Sequence, residues 1–347
     1  MTKHPQFHQA LPDGRLLCTL CPRACKLADN QRGLCFIRQR QGDLIELTTY
    51  GRSSGFVIDP IEKKPLNHFH PGSSVLSFGT AGCNLSCKFC QNWDMSKSRE
   101  MDTLQSPATP EAIAQSALDH GCDSVAFTYN DPVIFYEYAV DTAAACQAVG
   151  INTVAVTAGY LTEQARAGFF EHMDATNVDL KGFSEGFYRD LCGGSLQPVL
   201  DTLQYLIHET SVWTEITTLL IPGENDSEAE LDAMTHWIAT SLGTQVPLHF
   251  SAFHPDYRLF EHPATSHASL LHAKQIAEKN GLQHVYLGNI QDPENASTFC
   301  VNCKSKLIGR NGYTLTEWRI TRGGQCEACG EPVAGRFSKH PGSWGNR

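Results

Sequence analysis

The chain has 347 residues, a formal net charge of −10 and a sequence pI near 5.8, which argues against a broad electrostatic grip on nucleic acid. Its 41% hydrophobic and 18% charged residues are those of an ordinary globular protein, long enough to bury a large core. No run approaches the roughly 18 apolar residues of a membrane span, and Met1–Gly14 lacks an apolar h-region, so a cytoplasmic protein with reduced thiols is expected.

Three regions follow one another along the chain, and they predict a Cys-rich N-terminal segment over 1–70, a core over 71–297 and a Cys-rich module over 298–347. The first holds Cys18, Cys21, Cys25 and Cys35 among Gly, Pro, Arg and Lys. The core alternates apolar runs with amphipathic stretches. Strands are predicted at Val75–Phe78, Ser124–Phe127, Asn152–Val156, Thr176–Leu180, Trp213–Leu220, Leu248–Phe253 and His284–Leu287. Helices are predicted between them at Glu111–His120, Val133–Val149, Glu163–Glu171, Pro198–His208, Glu228–Ser241 and Ser269–Lys279. Such alternation implies an α/β fold with a parallel sheet, whose ligands lie on loops beyond the C-terminal strand ends. The last region holds Cys300, Cys303, Cys326 and Cys329.

Eleven of the 14 cysteines fall into three compact groups, a pattern that points to metal or iron–sulfur ligation in a reducing compartment. The middle group, Cys83, Cys87 and Cys90, sits on a Gly-rich loop just past the first predicted strand. Three thiolates leave one iron of a cubane open to a further ligand. The other reading is a zinc site completed by His68 or His70.

Cys-x3-Cys-x2-Cys, with Phe89 before the last cysteine, resembles the signature of the radical S-adenosylmethionine (SAM) superfamily. The resemblance implies a [4Fe-4S] cluster, SAM on its open iron, reductive cleavage to a 5′-deoxyadenosyl radical, an electron donor, and a partial (β/α)6 barrel. It also implies a contact from the backbone at Asn130 and Asp131, in Thr128-Tyr-Asn-Asp-Pro132, to the SAM amino group, where related enzymes carry a Gly-Gly-Glu-Pro-like segment and Asn130 and Asp131 replace its Gly and Glu. Asp179-Leu-Lys181 resembles the Asp-x-Lys segment of glycyl-radical activating enzymes. Lys181 could pair with the methionyl carboxylate and Asp179 could accept from a ribose hydroxyl. Leu220–Asn225 is a turn that could pass along the adenine or ribose, and Tyr286 with Asn289 resembles the segment on which the adenine rests. More widely, the chain resembles the radical SAM member of the AmmeMemoRadiSam system, a relative of pyruvate formate-lyase activating enzymes. That likeness rests on Cys-x2-Cys-Pro-x2-Cys near the start, Lys63-Lys-Pro-Leu66, Cys90-Gln-Asn-Trp93, Phe253-His-Pro-Asp-Tyr257 and the terminal cysteine pairs. It implies Memo-type and AMMECR-type proteins as partners.

The two terminal Cys-x2-Cys pairs fit a zinc-ribbon-like module, with rubredoxin-like iron or a second cluster as the other reading. The N-terminal four could hold zinc or a second iron–sulfur cluster, since spacing alone does not choose. Cys122, Cys146 and Cys192 read as core residues; Cys192, before Gly193 and Gly194, is also a candidate thiyl. His254 is a candidate substrate contact. Two further functions stand beside the activating-enzyme reading: an RNA-modifying enzyme that uses its ribbon for RNA, and a non-catalytic ribbon protein with a degenerate barrel.

Overall fold

The computed structural model describes residues 4–97 and 106–344. Among these, the main sheet has eight strands: β1 (Phe56–Pro60), β2 (Ser74–Phe78), β3 (Ser124–Phe127), β4 (Asn152–Thr157), β5 (Ala175–Asp179), β6 (Trp213–Leu220), β7 (Leu248–Ala252) and β8 (Val285–Gly288). They hydrogen-bond in chain order, β2 to β8 all parallel, with β1 antiparallel to β2 at the edge. Each predicted strand is present within one or two residues of its expected bounds; β1 was not expected.

The crossovers carry α1 (Pro110–Asp119), α2 (Tyr136–Ala148), α3 (Glu163–Phe170), α4 (Gln197–Glu209), α5 (Glu228–Trp237) and α6 (His267–Lys279). Side-chain caps start several of them. Thr109 accepts from the Ala112 amide ahead of Pro110, Ser227 from Glu230 and Ser266 from Ser269. The stretch expected to be helical from Val133 opens instead as a 3-10 turn over Pro132–Phe135, capped by Asp131. The outward faces of the strands pack on these helices in one large core that includes Phe78, Phe127, Val178, Ile216 and Phe250.

The inward faces take a second, smaller core. Ile61, Leu66 and Phe69, from the link between β1 and β2, pack on Val75, Ala126, Val154 and Ala175. This link fills the barrel at the N-terminal strand ends. It is held by Glu215 of β6, whose carboxylate accepts from the amides of Asn67 and His68 at 2.9 and 2.8 Å. The 1–70 segment therefore supplies both an edge strand and an interior plug to the core.

The C-terminal hairpin, β9 (Lys306–Asn311) and β10 (Thr314–Trp318), flanks the same plug. Arg310 on β9 donates to the Asn67 carbonyl at 2.7 Å and to Thr298 at 2.9 Å, and pairs with buried Glu62. Among the described residues, no helix is long and apolar enough to cross a membrane.

Candidate active site

Inward-facing residues of a strand rise two at a time toward its C-terminal end. On β6 the lower pair, Trp213 and Glu215, meets the plug, whereas Thr217 and Leu219 line a cavity of about 390 Å³ above it. Cys83, Cys87, Phe89 and Cys90 form one wall; Asn130, Asp131, Asp179, Lys181 and Asn289 come to it from the ends of other strands. Nine of the residues picked from the sequence for catalysis or cofactor contact thus share one cavity.

The cysteine loop is shaped by close approach. A Cβ on Gly79 would stand 2.5 Å from the Thr128 carbonyl oxygen and 2.6 Å from Asn130 Oδ1, so only glycine lets the two loops meet. Asn130 is buried; its Oδ1 accepts from the Thr80 amide at 3.2 Å and its Nδ2 donates to the Gly82 carbonyl at 2.8 Å. Asp131 accepts from Thr157 Oγ1 and from the amides of Val133 and Ala158, tying the β3 loop to the end of β4. Burial pushes its carboxyl up to about 6 against those hydrogen bonds. The side chains of Asn130 and Asp131 are therefore engaged within the protein, where they fix the loops.

The thiols differ in electrostatics. Burial, reinforced by Asp131, pushes Cys83 up to about 12. Cys87 is held down, first by a hydrogen bond from the Cys192 thiol and then, against burial, by Lys181 and Lys97. Cys90 Sγ lies 3.0 Å from Ser96 Oγ. Lys181 Nζ sits 2.9 Å from Asp179; burial disfavours its charge, but Asp179 and the thiols of Cys87 and Cys192 win and raise its pKa. The Leu220–Asn225 turn acts on this lysine from behind. Asn225, buried and absent from the cavity wall, donates to the Lys181 carbonyl at 2.8 Å. Three thiols against two ammonium groups, on a wall with open space before it, suit an anionic cluster with one accessible face.

Tyr286, the second residue of β8, does not line this cavity but an adjoining one that shares Ser251, Asn289 and Tyr313 with it; its ring stacks on His249, and its hydroxyl bonds His68 Nε2 at 2.5 Å and Thr298 at 2.8 Å. His254 is exposed and does not line the cavity. His68, weighed as a zinc ligand, is buried in the plug and pushed down to about 4 by desolvation; His70 bonds Ser338. Sequence reasoning missed Tyr129, whose hydroxyl donates to Asp59 at 3.0 Å and whose ring faces Lys64 Nζ at 5.1 Å. It also missed Tyr313, which the C-terminal hairpin brings to the cavity.

The terminal cysteines gather separately. Cys300 Sγ lies 3.6 Å from Cys329 Sγ, and Cys303 Sγ 3.7 Å from Cys326 Sγ; all four lie within 4.8 Å of one another and could hold one metal ion.

Comparison with known proteins agrees with this geometry. Residues 78–234 match the profile of the Radical SAM superfamily. The chain is 35% identical over 332 residues to an uncharacterised protein of Methanocaldococcus jannaschii, covering 95% of this chain and 98% of that one. It is 29% identical over 102 residues to the choline trimethylamine-lyase activating enzyme of Oleidesulfovibrio alaskensis, covering 29% of this chain and 33% of that enzyme. The fold is similar to that of Streptococcus suis SuiB bound to precursor peptide SuiA, with a TM-score of 0.50 at 14% identity over 66% of this chain and 51% of that one. The parallel sheet, the Cys83-x3-Cys87-x2-Cys90 loop at its C-terminal end and these likenesses together make the chain a member of the radical SAM superfamily, which implies a [4Fe-4S] cluster and SAM as its cofactors.

Proposed function

We propose that this protein is an activating-enzyme-like radical SAM enzyme that abstracts hydrogen from a protein or from a substrate held by a protein partner, in the manner of the AmmeMemoRadiSam system. The observation that carries this reading is one cavity joining Cys83, Cys87 and Cys90 to the Asp179–Lys181 pair. Cys83, Cys87 and Cys90 would hold the cluster, which would supply the reducing electron for SAM cleavage and so the hydrogen-abstracting radical.

The chain's own residues hold and orient. Lys181, fixed by Asp179 and by Asn225 behind it, offers a point charge to the methionyl carboxylate. Asp179, about one-third exposed at its side chain, keeps acceptor capacity for a ribose hydroxyl. Asn130 and Asp131 set the backbone beside the SAM site rather than spending their side chains on it. Asn289 stands at the exposed rim, where the adenine end of SAM would lie. Phe89, packed on the Phe187 ring at 5.7 Å, closes the apolar side of the loop.

Zinc is the metal we assign to Cys300, Cys303, Cys326 and Cys329. Tetrahedral Zn–S bonds of about 2.3 Å put sulfurs about 3.8 Å apart, close to the separations here. The partners we propose are Memo-type and AMMECR-type proteins, with a reducing electron donor.

The test is isotopic. Reconstituted enzyme, SAM and reductant are incubated with each partner protein grown in deuterated medium. Deuterium entering 5′-deoxyadenosine only when such a partner is present is the expected result. Turnover stimulated by RNA and indifferent to both partners would overturn the reading.

A further inference from the structure

Two lysines of the cavity wall serve neither the cysteine loop nor the Asp179–Lys181 pair. Lys63 and Lys64 follow β1 directly and share one carboxylate on it: Lys63 Nζ lies 2.9 Å from Asp59 Oδ1, and Lys64 Nζ 2.6 Å from Asp59 Oδ2. Asp59 and Lys64 are buried, whereas the Lys63 side chain is about half-exposed. Among the described residues, Asp59 is the acid that pairs with either lysine. Burial lowers the pKa of Lys64 against the pull of Asp59, and the neighbouring Lys63 adds to the lowering.

The other ammonium groups of the wall already have their partners. Lys97 Nζ donates to the Leu85 carbonyl at 2.9 Å beside the cysteine loop, and Lys181 holds Asp179. Lys64 alone would balance Asp59, so Lys63 leaves this group with one positive charge in excess. A cation on the wall of a partly desolvated cavity is costly unless an anion meets it.

Tyr129 fixes the group in place. Its φ of +71° is a left-handed conformation uncommon for a bulky side chain. That conformation goes with a ring 5.1 Å from Lys64 Nζ and a hydroxyl that donates to Asp59. Residues held in this way gather at ligand clamps and active sites.

Lys63 also faces the adjoining cavity of about 380 Å³, whose walls include Asn67, Gln291 and Tyr313. Glu62 and Arg310 line that second cavity as a buried pair 3.6 Å apart, so they add no net charge to it. Glu62 Oε2 and Arg310 Nε have no hydrogen-bond partner among the described residues, leaving one acceptor and one donor for a polar ligand. The second cavity thus offers room beside the SAM site, with the excess cation where the two cavities meet.

We propose that Lys63 and Lys64 receive an anionic oxygen group of the substrate, a carboxylate or a phosphate, whose parent molecule or side chain extends into the second cavity. Asp59 and Tyr129 act as positioning residues for the two ammonium groups. That the ligand is the substrate rests on the function proposed above; the anion site rests on its own charges.

The test is calorimetric titration of the full chain, reconstituted anaerobically and saturated with SAM, with glutarate in one arm and inorganic phosphate in the other. One anion per chain should bind at roughly millimolar Kd or tighter, and the arm that binds identifies the group. Lys63→Gln, a change at a half-exposed position, should weaken that binding about tenfold, with iron content and SAM affinity as in wild type. Lys64→Met should weaken it at least as much; where that variant fails to fold, Lys63→Gln decides. No binding of either anion to wild type, or equal binding by Lys63→Gln, overturns the site. Anion binding that SAM abolishes, or SAM affinity lost in Lys63→Gln, also overturns it, because the lysines would then serve SAM. A wild type that binds the anion but forms no 5′-deoxyadenosine with dithionite indicts the function proposed above and leaves the anion site standing.

Discussion

At Lys181 a single ammonium faces Asp179 at 2.9 Å on one side and the Cys87 thiol on the other. Lys63, Lys64 and Lys97 line the same cavity, and Lys181 is the one proposed to meet the carboxylate of SAM. Replacing it with Met should weaken SAM binding roughly 10- to 100-fold and leave the iron content unchanged. Equilibrium dialysis against labelled SAM reads this directly, and an unchanged Kd would remove Lys181 from the site. Asn130 makes a different kind of prediction, because its amide bridges Thr80 and Gly82. Asn130→Ala strands both backbone groups and should cost about 2 kcal/mol in urea unfolding. These residues were legible in the sequence because each follows a strand at the end where ligands gather. What their side chains do was not. The backbone at Asn130 and Asp131 reads as a SAM contact by analogy, and the long-range bonds that occupy their side chains, to Gly82 and Thr157, leave no local pattern.

Within β6, Glu215 gathers four donors. It accepts from the amides of Asn67 and His68, from Trp213 Nε1 at 2.9 Å and from His249 Nε2 at 2.7 Å. Burial would raise its pKa, but His249 and its other donors hold the carboxyl down at about 2. A depressed folded pKa means stability that is present above the unfolded value and lost as pH falls through the folded one. Wild type should therefore lose stability between about pH 4.5 and pH 2 from this group. Glu215→Gln should cost about 3 kcal/mol near neutrality and flatten that part of the acid limb in denaturation curves recorded against pH. A variant with the wild-type acid profile would contradict the assignment. The helices and parallel strands of this barrel were visible as apolar periodicity, since each buries a regular face. The plug was not. Ile61, Leu66 and Phe69 follow neither a helical nor a strand period, and only the inner face of the folded sheet shows why they are apolar. The surroundings of Tyr286 were hidden for a related reason: its strand was recognisable, but not the distant His68 and Thr298 that hold its hydroxyl.

Across the molecule, two Cys-rich ends brace one catalytic barrel. The N-terminal end packs on the cysteine loop through Arg23, which donates to the Asn84 carbonyl at 3.0 Å, and on the helices through Thr162 Oγ1, which donates to the Thr19 carbonyl at 2.7 Å, and Arg38, paired with Glu137. The C-terminal end packs on the plug through Arg310 and brings Tyr313 to the cavity. Metal at the terminal cysteines should therefore support more than its own module. Cys300→Ser with Cys326→Ser should lower metal content by about one zinc per chain and lower Tm, both read on the same preparation by elemental analysis and calorimetry. A full metal complement in that variant would contradict the site.

On the function proposed above, Cys83, Cys87 and Cys90 make a radical-generating centre. Its most direct test is 5′-deoxyadenosine formation from SAM and dithionite after anaerobic reconstitution. Wild type should form the product, and the Cys83→Ala, Cys87→Ala, Cys90→Ala variant should form none above the enzyme-free background. Equal product from the two proteins, or none from wild type carrying a full cluster, would contradict it.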